Sequence, residues 1–327
     1  MTDTGNRPIC DYEGSAYRTE FWGEGRAYED AAERAALERL LPATGARLID
    51  IGGGYGRLMP LYSGYDEVII FDYALTQLRQ AQELWGEEAD GGQPRRLYVA
   101  GDFYNLPFAP AAFDTVVMIR TLHHATDASS VLRGVSRILA PQGSFVLEFA
   151  NKRNLKAILR YLAGRQRWSP FDRAPVEFVA LNFDFHPAWI EERLHEVGLS
   201  VRKRRAVSTF RLGILKRSLP TSLLVALDRA LQPAGGRFPL SPSVFLRCEA
   251  GGDRSGQVRA NPFRCTACGA SPLEERRDSL SCAACGASYP IEDGIYTFKA
   301  GHGEAAKASD GHRRRGKTPR EDGDDAR

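Results

Sequence analysis

A glycine-rich turn constrains the fold of this chain more than any other segment. The segment Arg47-Leu48-Ile49 leads into Asp50-Ile51-Gly52-Gly53-Gly54-Tyr55-Gly56, an order typical of a strand, a tight turn and a helix. Glycine at positions 52, 54 and 56 lets the backbone turn sharply and leaves room for a ligand beside the main chain. The helix that follows offers free N–H groups to a polar ligand. The turn therefore predicts a nucleotide-like cofactor near the first strand.

Three further strands end in side chains that suit such a cofactor. The apolar segment 67–71 ends at Asp72-Tyr73, where a carboxylate can accept hydrogen bonds from ribose hydroxyls. Segment 96–100 is followed by Asp102-Phe103, whose carboxylate and ring suit the amine and the face of an adenine. The strand at 113–119 ends before Arg120. We assign cofactor binding to Asp50, Gly52, Gly54, Gly56, Asp72, Tyr73, Asp102, Phe103 and Arg120.

This ordered set closely resembles class I S-adenosylmethionine-dependent methyltransferases, in particular the small-molecule and quinone-biosynthesis branch, over residues 12–249. The matching motifs are the glycine turn from Asp50, Asp72, Gly101-Asp102 with Leu106-Pro107-Phe108, Phe113-Asp114 and Leu139-Ala140-Pro141-Gln142-Gly143. The last motif is usually Lys-Pro-Gly-Gly in that family, so this chain departs from it there. The resemblance implies an α/β, Rossmann-like sheet with helices on both faces and S-adenosylmethionine as cofactor.

Two other interpretations of the glycine turn stand beside this one. A nicotinamide dehydrogenase usually carries Gly-x-Gly-x-x-Gly with an acid about 20 residues beyond, whereas here the spacing is Gly-x-Gly-x-Gly after Asp50. A Rossmann-like core without a cofactor is the structural alternative.

The chain has 327 residues, enough for one large domain and a small one. We predict a helical cap at 1–45, a methyltransferase domain at 46–250 with a substrate-side part at 151–240, a linker at 251–260, a zinc ribbon at 261–300 and a disordered tail at 301–327. No apolar run reaches membrane-spanning length, and the N-terminal residues are polar. We therefore expect a cytoplasmic location.

The charge of the chain is unevenly distributed. Residues 1–150 hold 13 arginines, no lysine and 21 acidic residues, whereas residues 151–250 hold 18 basic and 8 acidic residues. The net charges are therefore −8 and +10. A basic segment of this kind suits an anionic substrate, a membrane surface or RNA, and equally a solvated arginine-rich surface.

Four of the six cysteines form two Cys-x-x-Cys pairs near the C-terminus. Cys265 and Cys268 are separated by 13 residues from Cys282 and Cys285, and a glycine follows each pair. This spacing can place four thiolates around one tetrahedral Zn²⁺, and a segment so short depends on metal for its folding. The pattern predicts a structural zinc site; two disulfides or redox pairs are the alternatives.

Tyr289-Pro290-Ile291-Glu292-Asp293-Gly294 follows the second cysteine pair. Together with the cysteines it resembles, over residues 263–298, the small zinc-ribbon proteins that activate tRNA, rRNA and protein methyltransferases. The resemblance implies a fused module that either stabilises the core or docks a partner.

Methyl transfer mainly requires that the acceptor be positioned and water excluded, and a base is needed only when the acceptor loses a proton. His124, just past the fourth strand, is the candidate base, with His123 and His186 as further candidates. Arg26 and Tyr28 are candidates for binding the methionine carboxylate.

The leading hypothesis is a methyltransferase acting at O or C of a small or lipid-like acceptor that is anionic or aromatic. Leucines beside Arg and Lys indicate peripheral membrane contact through 152–167 and 212–231, or helices packed on their own protein. The alternative is an RNA methyltransferase whose ribbon and basic segment hold the phosphate backbone. A non-catalytic protein that keeps the cofactor site is a third hypothesis, and no DNA substrate is expected.

Overall fold

The computed structural model describes residues 8–15, 22, 24–86, 94–211, 213–252 and 261–299. Its strands are β1 Gly45–Ile51, β2 Tyr65–Asp72, β3 Arg95–Ala100, β4 Phe113–Met118, β5 Leu139–Ala150, β6 Val176–Val179, β7 Asn182–Asp184, β8 Leu199–Val207, β9 Ser243–Ala250, β10 Glu274–Glu275, β11 Ser279–Ser281, β12 Ser288–Glu292 and β13 Ile295–Thr297. Its α-helices are α1 Ala27–Leu40, α2 Leu75–Trp85, α3 Ala128–Ile138, α4 Leu155–Leu162, α5 Pro187–Glu196, α6 Gly213–Ser218 and α7 Thr221–Gly235.

The main sheet confirms the predicted Rossmann-like α/β fold. Its strand order is β10-β11-β12-β13-β3-β2-β1-β4-β5-β9-β8. Strands β3, β2, β1, β4 and β5 are parallel, and β9 and β8 continue the sheet antiparallel to their neighbours. The order reverses beside β1, so the carboxyl ends of β1, β2 and β4 form a crevice where ligands bind in such sheets. The glycine turn lies at that crevice.

Alternating side chains of the central strands form two separate hydrophobic layers. Ile49 and Ile69 belong to one layer, which is covered by α3 and α5, whereas Leu48 and Val68 belong to the other, which is covered by α1 and α2. Both faces are buried because the strands are near-continuously apolar, as expected for a parallel sheet between helices.

The helix predicted directly after the glycine turn is wrong, because residues 52–58 form turns and only a three-residue 3-10 helix, Met59–Leu61, precedes β2. Asn154 caps α4 by accepting from the backbone N–H of Ala157 at 2.9 Å. Helix α3 ends at Ile138 and β5 begins at Leu139, so the motif Leu139-Ala140-Pro141-Gln142-Gly143 lies at the start of the strand. Gln142 takes a left-handed φ of 57° within this strand. The turn expected from this motif therefore lies within the first residues of β5.

The C-terminal ribbon extends the main sheet. Strand β13 runs parallel to β3, with Ile295, Tyr296 and Thr297 opposite residues 98–100, and the N–H of Phe298 donates to the carbonyl of Ala100 at 2.7 Å. A parallel pairing at the exposed edge of β3 satisfies backbone groups that would otherwise need water. The ribbon therefore docks on the core, which is one of the two possibilities left open by the sequence.

No helix within the described ranges is long and apolar enough to cross a membrane. The predicted tail at 301–327 and most of the linker lie outside the described residues, as do parts of the N-terminal cap.

Candidate cofactor and metal sites

The glycine turn is held against β2 by backbone hydrogen bonds. The N–H groups of Gly52 and Gly53 donate to the carbonyl of Phe71 at 2.8 and 3.2 Å. Gly52 has a φ of 74°, and a Cβ there would lie 2.1 Å from the Thr121 hydroxyl, so only glycine fits. At Gly54 the nearest atom to a Cβ is Gln77 Oε1 at 3.9 Å, because this residue faces open space. The turn therefore leaves open space beside the backbone at the edge of the sheet, where a ligand can bind.

Asp72 links the turn to the start of α2. Its two carboxylate oxygens accept from the N–H groups of Gly54 and Ala74, each at 2.9 Å. Burial raises the pKa of Asp72, although these backbone donors act to lower it. Each oxygen keeps a lone pair for a ligand hydroxyl, and the residue lines the cavity beside the turn.

Most of the predicted cofactor residues surround one cavity. Among the residues singled out from the sequence, it is lined by Gly52, Gly54, Asp72, Tyr73, Gly101, Phe103, Arg120, His123 and His124. Its other lining residues were not predicted: Cys10, Tyr12, Phe71, Gln77, Thr121 and Asn182. A smaller adjoining cavity shares the glycine turn and Arg120 and adds Asp50, Arg57 and Trp22. The two cavities share Gly52, Gly54 and Arg120 and together form the cofactor cleft at the carboxyl ends of β1, β2 and β4.

Asp50, Gly56 and Asp102 contribute differently from the other predicted cofactor residues. Asp50 is buried, accepts from the Tyr62 hydroxyl at 2.8 Å and has its pKa raised to about 7 by burial. A Cβ at Gly56 would lie 2.8 Å from the Trp85 ring nitrogen. The carboxylate of Asp102 accepts from the N–H of Tyr104 at 2.8 Å. Neither Gly56 nor Asp102 lines the described cavities.

A buried ion cluster lies at the floor of the cleft. Glu33 is fully buried and accepts from Arg57 Nη2 at 2.9 Å and from Arg120 Nε at 2.9 Å. Burial acts to raise the pKa of Glu33, but the charges of Arg120 and Arg57 outweigh it and hold the pKa below its ordinary value. The Arg57 guanidinium also lies 3.8 Å from the centre of the Trp22 ring. Two cations therefore face the cleft from a fixed position.

His124 has a defined tautomer. Its Nδ1 lies 2.9 Å from the carbonyl of Leu181, which can only accept, so Nδ1 carries the proton. Nε2 is then unprotonated in the neutral ring and lies 3.1 Å from the Tyr12 hydroxyl. Burial lowers the pKa of His124, although the bond to Leu181 acts to raise it. The ring thus presents an acceptor nitrogen at the cavity wall, where it accepts from the Tyr12 hydroxyl.

The other histidine candidates are placed differently. His123 lines the same cavity, and its ring contacts that of His124 in a tilted arrangement with 4.0 Å between the ring centres. Burial holds the pKa of His123 well below its ordinary value. His186 caps α5 by accepting from the N–H of Ala188 at 3.2 Å and does not line the cavity. The suggestion for Tyr28 is wrong, because its buried hydroxyl donates to Asp228 at 3.1 Å and joins α1 to α7. Arg26 does not line either cavity of the cleft.

The four ribbon cysteines converge. Their sulfur atoms all lie within 4.8 Å of one another, with 3.6 Å between Cys265 and Cys285 and 3.5 Å between Cys268 and Cys282. Zn–S bonds of about 2.3 Å in a tetrahedron place sulfurs roughly 3.8 Å apart, so the thiol set fits zinc. All four are free thiols, with no disulfide among them. The glycines after each pair have φ of 81° and 74°, which permits the knuckle turns.

Comparison with known proteins agrees with this geometry. A family described as methyltransferase domain matches residues 49–147, the segment that contains the glycine turn, Asp72 and His124. The O-methyltransferase resE of Aspergillus sclerotiorum is 31% identical over 118 residues, which are 35% of this chain and 44% of that protein. The ubiquinone biosynthesis O-methyltransferase of Paracidovorax citrulli is 32% identical over 132 residues, 40% and 54% of the two chains. The chain thus spans about half the length of these curated relatives.

Among solved structures, the chain is similar to one from the complex between the Haloferax volcanii Trm112 methyltransferase activator and the putative methyltransferase. The TM-score is 0.50 at 16% identity, covering 72% of this chain and 97% of that chain. At this identity the likeness shows the fold alone. The chain therefore has the class I methyltransferase fold, and its residues 49–147 match the methyltransferase domain family.

Proposed function

We propose that this chain is an S-adenosylmethionine-dependent methyltransferase that methylates an oxygen, or an acidic carbon, of a small or lipid-like acceptor. The observation that carries the proposal is the shared cavity: the glycine turn, Asp72 and the unprotonated Nε2 of His124 all line it. The methyltransferase domain match over the same residues supports S-adenosylmethionine as the cofactor.

The cavity residues fit this cofactor by their chemistry. Asp72 offers carboxylate oxygens to ribose hydroxyls, and Tyr73 and Phe103 offer aromatic faces to the base. Arg57 and Arg120 supply positive charge for a carboxylate beside the glycine turn. Bound S-adenosylmethionine would supply a methyl group from its sulfonium.

The protein's own contribution is to hold the acceptor and to accept a proton. His124 is neutral at pH 7 because burial lowers its pKa, so its Nε2 is available as a base. The Tyr12 hydroxyl donates a hydrogen bond to Nε2 at 3.1 Å and keeps the ring oriented until a hydroxyl of the methyl acceptor replaces it. An acceptor that must lose a proton, such as a hydroxyl group, fits this arrangement best.

We also infer that the ribbon holds one structural Zn²⁺ through Cys265, Cys268, Cys282 and Cys285. Four convergent thiols leave no ligand position for a substrate, which supports a structural rather than a catalytic role. The metal would stabilise the ribbon, and through β13 the edge of the main sheet.

Calorimetric titration tests the proposed function directly. We expect S-adenosylmethionine to bind and NADH not to bind. The variant Asp72→Ala should weaken S-adenosylmethionine binding at least about tenfold, or ~1.4 kcal/mol, since a charged acceptor for the ribose is lost. The matched control is Asp66→Ala, an exposed carboxylate on the same strand and outside the cavity, which should leave the affinity unchanged.

Two results would contradict this reasoning. Equal affinity in Asp72→Ala and Asp66→Ala would remove the ribose assignment. Binding of NADH in place of S-adenosylmethionine would favour the dehydrogenase interpretation over the methyltransferase.

A further inference from the structure

A second groove lies on the same edge of the sheet as the cofactor cavity. It has a volume of about 470 Å³ and runs between α4 and the segments that follow β8 and precede β9. Strand β9 is antiparallel to both β5 and β8, so the ends of β5 and β8 point to the same edge. The groove is thus placed above β5 and β8, beside the cleft above β1, β2 and β4.

The groove has an apolar wall that faces solvent. Leu155 and Leu159 are one helical turn apart on α4 and are 50% and 57% exposed, and Leu240 opposite them is 45% exposed. Such side chains at i and i+4 share one face of a helix. On most helices this face packs against the protein, yet here the buried residue of α4 is Ala157. The leucines therefore offer an apolar surface to a ligand.

Four cations surround this wall. Lys156, Arg160 and Arg165 line the groove, and no carboxylate of the described residues lies within ion-pair distance of them. Arg211 lines the inner part with weak partners: its Nη2 is 3.4 Å from the Ser243 hydroxyl, and its buried Nε has no partner. An anionic group of a ligand would supply hydrogen-bond acceptors for these side chains.

The inner end of the groove is linked to the cofactor cleft through one side chain. Glu33 Oε1 lies 3.9 Å from Arg211 Nη2 and accepts from Arg120 Nε at 2.9 Å, and Arg120 lines the cofactor cavity. Glu33 therefore joins the cations of the two sites, which lie side by side at the same edge of the sheet without sharing a lining residue.

We propose that this groove binds the methyl acceptor, and that the acceptor is an amphiphile with a carboxylate or phosphate group on an apolar body. The apolar body lies on the leucines of α4, and the anionic group pairs with the surrounding arginines and lysine. The role as acceptor site rests on the proposed function; the ligand class rests on the groove alone.

Fluorescence titration with a dansyl-labelled fatty acid tests the ligand class, with the dansyl-labelled amine of the same chain length as the control for charge. We expect the acid to bind at least about tenfold more tightly than the amine. Leu159→Asp and Arg160→Gln should each weaken binding of the acid several-fold. Leu227→Asp is the matched control, since Leu227 is 43% exposed on α7 and does not line the groove.

Equal binding of acid and amine, or equal weakening by Leu159→Asp and Leu227→Asp, would overturn the groove proposal. A parallel arm uses vesicles of anionic phospholipid. If the protein sediments with the vesicles, if Leu159→Asp and Leu227→Asp reduce this sedimentation equally, and if the free fatty acid does not bind, the surface contacts a bilayer. That result would also overturn the groove proposal.

Titration of S-adenosylmethionine on the same samples separates this proposal from the proposed function. Cofactor binding without fatty-acid binding would overturn the groove proposal and leave the methyltransferase intact. Fatty-acid binding without cofactor binding would support the ligand class but overturn its role as methyl acceptor.

Discussion

Phe263 offers a direct test of whether the ribbon and the core unfold as one unit. Its side chain is 2% exposed, and its ring stacks on Phe108 of the core at 5.9 Å and on Tyr296 and Phe298 of the ribbon at 4.9 and 5.6 Å. Replacing a buried phenylalanine by alanine costs about 3–5 kcal/mol, from lost burial and the cavity left behind. That is a large share of the roughly 5–15 kcal/mol that stabilises a typical domain.

The expected consequence of Phe263→Ala is a lower melting temperature for the whole molecule. For a domain of this size, 1 kcal/mol shifts the midpoint by about 2–4 °C, so the loss should be roughly 6–20 °C. Tryptophan fluorescence is the suitable signal, because Trp22, Trp85, Trp168 and Trp189 all precede the ribbon. The signal therefore reports the core, whereas the substitution is in the ribbon.

Phe238→Ala is the matched control, because this side chain is 73% exposed and its removal should change stability by about 0.5 kcal/mol or less. An unchanged tryptophan melting curve in Phe263→Ala would refute the reasoning. It would mean that β13 and the aromatic stack add nothing to the core's stability.

Two further predictions concern His124 and the cysteines. In NMR of histidine-labelled protein, the resonance that is lost in His124→Gln should titrate below pH 6.5, because burial lowers the pKa of His124. Below pH 6.5 the folded state then binds fewer protons than the unfolded state. The free energy of unfolding should therefore fall as the pH drops from 6.5 toward the folded-state pKa. Titration above pH 6.5 would contradict the neutral ring. Elemental analysis should find one zinc per chain, lost in Cys282→Ser and kept in Cys10→Ser, and a strong chelator should lower the tryptophan melting temperature. Full metal content in Cys282→Ser would exclude the four-thiolate site.

The sequence was informative wherever short-range chemistry decides structure. The turn at 52–56 requires glycine because Gly52 has a left-handed φ and no space for a Cβ, and that requirement is visible in the residue types themselves. The four cysteines likewise carry their spacing in the sequence, and Asn154 marks the start of α4 by its capping bond. The positive φ of Gly52, the cysteine spacing and the Asn154 cap are local features, whereas the lack of space for a Cβ at Gly52 is set by Thr121 after β4.

Long-range packing decided the remaining features. The sequence did not predict that β13 pairs with β3, because a three-residue strand has no periodicity to identify its partner. Tyr12 and Asn182 reach the cavity from distant segments, and nothing in their neighbourhoods indicates it. Tyr28 was misassigned because its partner Asp228 is 200 residues away.

The ordered strands, the glycine turn and the cysteine spacing thus follow from the sequence by itself, since local backbone geometry and side-chain type determine them. The tertiary structure alone decided how Glu33 joins Arg57, Arg120 and Arg211, and that the leucines of α4 stay exposed beside four cations. The physical reason is that ion pairs and grooves form between segments whose approach is set by sheet order and helix packing, which no local pattern encodes.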